Sequence, residues 1–169
     1  MDIRIRSEKQ SDAGAIQAVT RAAFTSVVHS DHTEHLIVEA LRDAGALAVS
    51  VVAEISGKVV GDAAASPVAI SDSARGWFGL GPVSVAPDYQ GRGIGSRLVR
   101  EVLRLLGERQ AAGRVVLGET AYYGRFGFHR QEDLVLPGVP PGYLQVVQLG
   151  SRTPSGKVSY HHAFTAPRH

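Results

Sequence analysis

Three glycines, Gly91, Gly93 and Gly95, stand beside Gln90 and Arg92 in the stretch VSVAPDYQGRGIGSRLVREVL (83–103). Positions without a side chain let a diphosphate approach successive backbone N–H groups, and a helix starting there adds unsatisfied donors and partial positive charge. Two familiar phosphate loops fail on residue identity. A Walker A loop ends in Gly-Lys-Ser/Thr, and this stretch has no lysine. The dinucleotide pattern G-x-G-x-x-G, counted from Gly91, ends on Ser96 and, counted from Gly93, on Leu98. What remains is Q-x-x-G-x-G: Gln90, Gly93 and Gly95.

Other reactive side chains are few. Cys is absent, which excludes disulfides, thiolate nucleophiles and cysteine-ligated zinc. His29, His32 and His35 recur every three residues without an H-E-x-x-H pattern, and read as exposed imidazoles of a loop and helix start. No metal is expected. Glu34, Glu54, Asp62 and Glu119 are carboxylates on or beside the elements outlined next.

These residues need a scaffold, and the sequence outlines one. DIRIR (2–6) alternates as a strand. SDAGAIQAVTRAAF is a helix capped by Ser11 or Asp12, with Ile16, Val19, Ala23 and Phe24 on one side. A second helix runs from about Thr33 to Asp43 on Leu36, Ile37, Ala40 and Leu41, and Ala44-Gly45 ends it. ALAVSVVAEI and KVVGDAAASPVAI flank Ser56-Gly57 as a hairpin, and GWFGLGPVSVA is a fourth strand. Lone Trp77 packs near its start. A helix follows to Glu108 with Ile94, Leu98, Val102, Leu105 and Leu106 inward, and Arg97, Arg100, Glu101 and Arg104 outward. GRVVLG is a buried fifth strand and TAYYGRF a short helix. GYLQVVQLG and GKVSYHHAF close the chain, the latter carrying His161 and His162. The order β-α-α-β-β-β-α-β-α-β-β describes one α/β (α+β mixed) domain over 1–169.

SVAPDYQGRGIGSRLV resembles the acetyl-CoA-binding motif of the GNAT superfamily of N-acetyltransferases, and AYYGRFGF (121–128) resembles that family's Tyr-x-x-x-Gly-Phe motif at Tyr123, Gly127 and Phe128. LGPVSV and LGETAYYGRFGF are similar to a branch of small single-domain bacterial members. The resemblance implies a mostly antiparallel sheet splayed between its fourth and fifth strands, with helices on both faces. It further implies that acetyl-CoA lies in that gap. Its pantetheine would pair with Val83, Ser84 and Val85, and its pyrophosphate would sit on Gln90, Gly91, Arg92, Gly93, Ile94, Gly95 and Ser96. Arg125 is a second candidate for the nucleotide end.

On the same resemblance a backbone N–H near Val85 faces the developing oxyanion, and Tyr123 is the general acid. A phenol near pKa ~10 suits protonation of a thiolate whose own pKa is ~8.5. Tyr122, adjacent, reads as packing. Glu119, directly after the fifth strand, is the candidate base, and Glu34 borders the acceptor region. Relatives of this branch often carry Gly-His and Asp where this chain has Gly61-Asp62 and Glu119.

The implied reaction is acetyl transfer from acetyl-CoA to a primary amine, small-molecule or peptide, by direct attack in a ternary complex. A non-catalytic acyl-CoA sensor and a protein N-terminal or lysine acetyltransferase are the alternatives. Net charge is +2 and basic residues are dispersed, so nothing points to nucleic acid. There is no signal-peptide core, and no apolar run approaches the ~20 residues of a membrane span, so the cytoplasm is the expected address and no membrane partner is expected. A homodimer is compatible with a domain of this size.

Overall fold

The computed structural model describes residues 2–25, 27, 32–140 and 142–164. Strand β1 (Ile3–Ser7) leads into helices α1 (Ala13–Phe24) and α2 (Glu34–Asp43), then β2 (Val49–Ile55), β3 (Lys58–Pro67) and a two-residue β4 (Ala69–Ile70). Next come β5 (Trp77–Val85), α3 (Ile94–Glu108), β6 (Gly113–Leu117) and α4 (Thr120–Tyr123). The chain finishes with β7 (Leu134–Val135), β8 (Leu144–Gln148) and β9 (Gly156–Ser159). The main sheet has the order β1-β2-β3-β5-β6-β8, and only its β5–β6 pair is parallel. A three-stranded sheet, β4-β9-β7, packs beside it. Among the described residues no helix is long and apolar enough to cross a membrane.

Local chemistry accounts for the elements. Ser56 and Gly57 both take positive φ, 51° and 80°, as a two-residue hairpin turn requires. α3 buries Ile94, Leu98, Val99, Val102, Leu103 and Leu106 against Val51, Ala53 and Ala63 of the sheet. Leu105 is only half-buried, so the inward stripe leans toward Val99 and Leu103. α1 and α2 cover the opposite face, where Ile16, Val19 and Val38 meet Val52 and Val59. Trp77 is buried at the start of β5 and lies over Gly113, where a Cβ would overlap its ring.

Several expectations are corrected. Asp12 does not cap α1; its carboxylate accepts the Lys9 N–H at 2.6 Å and pairs with Arg6 at 2.7 Å. α2 buries His35 and Val38 in place of Leu36 and Ala40, so His35 is not exposed, while His32 is. His29 lies outside the described residues. The run after Pro67 leaves the main sheet as β4, and β9 stops at Ser159, leaving His161 and His162 beyond it.

Candidate active site

The β5–β6 ladder runs only from Trp77–Gly113 to Leu80–Val116. β5 then continues for five residues, Gly81 to Val85, with no partner on that side. Two features end the pairing. Against β3 the register shifts so that Ala64 stands opposite both Gly81 and Pro82, a bulge that bends β5. Pro82 also has no N–H to donate. Beyond the bulge, Ala86 donates to Val60 across to β3 at 2.8 Å. Strand alternation therefore turns the N–H groups of Val83 and Val85 toward the opening. Ser84, between them, faces α1, and its buried hydroxyl has no hydrogen-bond partner.

At the far end of β5 the glycine loop takes the form its composition suggests. Gly91 and Gly93 have φ of +77° and +80°, conformations that L-residues rarely adopt. The first hydrogen bond closing α3 runs from Arg97 N–H to the Gly93 carbonyl at 3.2 Å. The amides ahead of it lack an intrahelical acceptor. They border a 360 Å³ cavity lined by Val85, Gly91, Gly93, Ser96, Tyr122 and Arg125, among others. Gln90 lines it too, but its side-chain amide donates to the Val85 carbonyl at 2.9 Å, so it ties the loop back to the strand.

Tyr122 packs edge-on against Tyr123 and Phe126, as expected, and it also reaches this cavity. Its hydroxyl is 3.5 Å from Ser96 Oγ, and a Cβ on Gly95 would lie 3.3 Å from it. It thus closes one wall of the cavity. Arg125 stacks on the Tyr122 ring at 4.3 Å and also lines the cavity, whereas the Arg92 guanidinium lies 5.4 Å from the Tyr89 ring centroid. Arg125 is thus among the residues lining this cavity, and Arg92 stacks on Tyr89, which lines it too. A four-residue helix is too short to show periodicity, which is why the orientation of Tyr122 was not legible.

Tyr123 packs across Gly118, just past the end of β6, where a Cβ would overlap its ring. Its ring meets Phe128 edge-on at 6.0 Å and Tyr122 at 4.9 Å. Burial first, then the neighbouring Tyr122, pushes the Tyr123 phenol up to about 12, so it stays protonated at neutral pH.

A second cavity, of 810 Å³, opens where the strands part. Leu80, Gly81 and Pro82 of β5 and Leu117 at the end of β6 line it, with Glu34 from α2 and Tyr160 beyond β9. The Tyr160 ring lies against Gly79, and its hydroxyl is buried without a hydrogen-bond partner; burial pushes that phenol up strongly.

The carboxylates separate. Glu119 is exposed and lines a different depression with Thr120 and Tyr143. Its carbonyl accepts the Tyr122 and Tyr123 N–H groups at 3.2 and 3.0 Å, so it starts α4 through its backbone. Neither Glu119 nor Tyr123 is among the residues that line the two larger cavities. Glu54 pairs with Arg6 at 3.0 Å. Asp62 is fully buried on β3, takes a hydrogen bond from Thr20 at 3.1 Å, and leaves its second oxygen without a partner. Desolvation raises it to about 7, against the opposing hydrogen bond from Thr20.

Comparison with known proteins fits this geometry. A family model described as an acetyltransferase (GNAT) domain matches residues 46–130. The uncharacterized N-acetyltransferase YhbS of Escherichia coli K12 is 35% identical over 168 residues, covering 95% of this chain and 97% of that protein. A crystal structure of a GNAT family acetyltransferase from Brucella melitensis in complex with acetyl-CoA is 46% identical. It superposes with a TM-score of 0.86 over 96% of this chain and 98% of that one. The crystal structure of E. coli YhbS in complex with CoA gives 0.87 at 35% identity, over 97% and 92% of the respective chains. On the family model and on relatives aligned over nearly their whole length, this chain belongs to the GNAT family of acetyltransferases.

Proposed function

We propose that this chain transfers the acetyl group of acetyl-CoA to a primary amine by direct attack, with both substrates bound together. The observation that carries the reading is the end of β5–β6 pairing at Leu80–Val116, on the strand that leads into a loop whose Gly91 and Gly93 take positive φ at the head of α3. The similar proteins crystallised with acetyl-CoA and CoA support the same acyl donor here.

The residues present suit that group. A strand edge with unpaired amides needs a partner, and a peptide-like pantetheine chain is one. The loop amides from Gly91 to Ser96, with Arg125, are the natural seat of a diphosphate. When bound, acetyl-CoA supplies a thioester activated toward amines. The N–H of Val83 or Val85 faces the opening and meets charge developing on the carbonyl oxygen. Losing one such donor typically costs about 3 kcal/mol of barrier. Tyr123 would donate its proton to the departing sulfur, and the proton released by the attacking amine would restore the phenol through solvent.

Calorimetric titration with acetyl-CoA tests the loop. Gly93→Glu places a strained, anionic side chain where the diphosphate binds, and affinity is expected to fall at least 100-fold. Unchanged affinity would overturn the assignment. Thiol release across an amine panel tests the chemistry: background rates throughout, with acetyl-CoA still bound, would make this a binding module.

A further inference from the structure

Past the glycine loop, the surface beside the smaller cavity carries two arginines without a counter-ion. Ser96 lines that cavity, and Arg100 stands one helical turn further along α3 on the same side. The exposed Arg100 guanidinium lies over the Phe126 ring at 5.3 Å. Arg125, which lines the cavity, lies 5.7 Å from the same ring and 4.3 Å from the Tyr122 ring. Its Nε donates to the Tyr122 carbonyl at 3.2 Å, which steadies it there. Tyr122 and Phe126 meet edge-on at 5.6 Å, so both cations rest on one aromatic ledge. Among the described residues neither guanidinium pairs with a carboxylate, whereas Arg104, the next outward arginine of α3, is taken up by Glu101 and Glu108.

From this ledge we infer that Arg100, with Arg125, holds the phosphate monoester on the ribose of CoA, so that this chain selects the 3′-phosphorylated coenzyme over its dephospho form. The inference rests on the acyl-donor reading and adds a second anion site to it. In CoA the ribose that bears this phosphate is joined directly to the diphosphate. A diphosphate on the loop amides therefore leaves the monoester within the reach of long side chains one turn along α3. The monoester carries about two negative charges near neutral pH. A guanidinium meets its oxygens with a planar fork of donors, stronger than a neutral hydrogen bond. Stacking on Tyr122 and Phe126 also holds the two side chains in place before the ligand arrives, so less rotamer freedom is lost on binding.

The test is calorimetry at low salt, where exposed charges are screened least, with CoA and 3′-dephospho-CoA. The proteins are the wild type, Arg100→Gln and Arg97→Gln. Arg97 is exposed on the same helix and donates to the Ile3 carbonyl at 3.2 Å, so its replacement removes an equal charge away from the ledge. The wild type is expected to bind CoA on the order of tenfold more tightly than dephospho-CoA. Arg100→Gln is expected to cut that preference at least threefold with dephospho-CoA affinity within twofold, and Arg97→Gln to keep the preference. Equal binding of the two ligands by the wild type would overturn the inference and leave the acyl-donor reading standing. A preference kept by Arg100→Gln, or lost equally by Arg97→Gln, would overturn it as well. Binding of neither ligand would refute the acyl-donor reading, and this one with it.

Discussion

At the level of single residues, the two phenols that follow β6 do different work although they are neighbours. Tyr122 walls the cavity beside the glycine loop, and Tyr123 stands over Gly118 just past the end of β6. Tyr123→Phe removes only the hydroxyl, so turnover is expected to fall by about 10²–10⁴ with acetyl-CoA affinity within twofold. An unchanged rate at saturating cofactor would take Tyr123 out of the mechanism. Asp62 poses a stability question. Its carboxyl is raised from 3.8 to about 7 in the folded chain, mainly by desolvation. Between those values the folded state holds a proton that the unfolded chain releases, so this residue makes stability fall as pH rises from about 4 through 7. Asn keeps the shape and cannot ionise. Asp62→Asn is therefore expected to be nearly neutral near pH 4 and to stabilise increasingly toward pH 8, by roughly 4 kcal/mol at most. Parallel urea midpoints for both proteins across that range would refute the shift. That Asp62 would be buried was not legible, because alternation along one strand does not reveal that both of its faces are covered, as they are along residues 59–66 of β3.

Among the elements, the meeting of α3 with β3 sets where the glycine loop sits. A Cβ on Gly61 would lie 2.9 Å from the Ser84 carbonyl and 3.0 Å from Leu98 Cδ1. Gly61→Ala therefore presses at once on the β5 backbone and on α3. We expect a loss of about 1–3 kcal/mol in unfolding free energy, together with weaker acetyl-CoA binding, because the head of α3 moves with its body. Wild-type stability in thermal unfolding would contradict the close fit. The strands of the hairpin, α3 and the Ser56-Gly57 turn were legible from alternation, period and turn chemistry. The small sheet was not: β4 and β7 have two residues each, too few for any pattern to register.

For the molecule as a whole, the two cavities are assembled from distant parts of the chain. The larger draws on residues from Phe24 to Phe164. Periodicity reveals which face of an element is apolar but not which other element covers it. That explains why the glycine loop was readable while the wall of the larger cavity was not. The opening between β5 and β6 is also a property of the entire sheet. β6 is paired along its length with β8, from Gly113–Gln148 to Leu117–Leu144. Buried Gln145 of β8 donates to the Gly118 carbonyl at 2.7 Å, and the Gly118 N–H reaches the Tyr143 carbonyl at 3.0 Å. The far strand is thereby moored on its outer side. An arriving acyl donor has no ladder to unzip, and its capture should be a simple collision: stopped-flow traces with one phase, linear in concentration, at about 10⁵–10⁷ M⁻¹s⁻¹. A rate that levels off would mean that the berth must first be made.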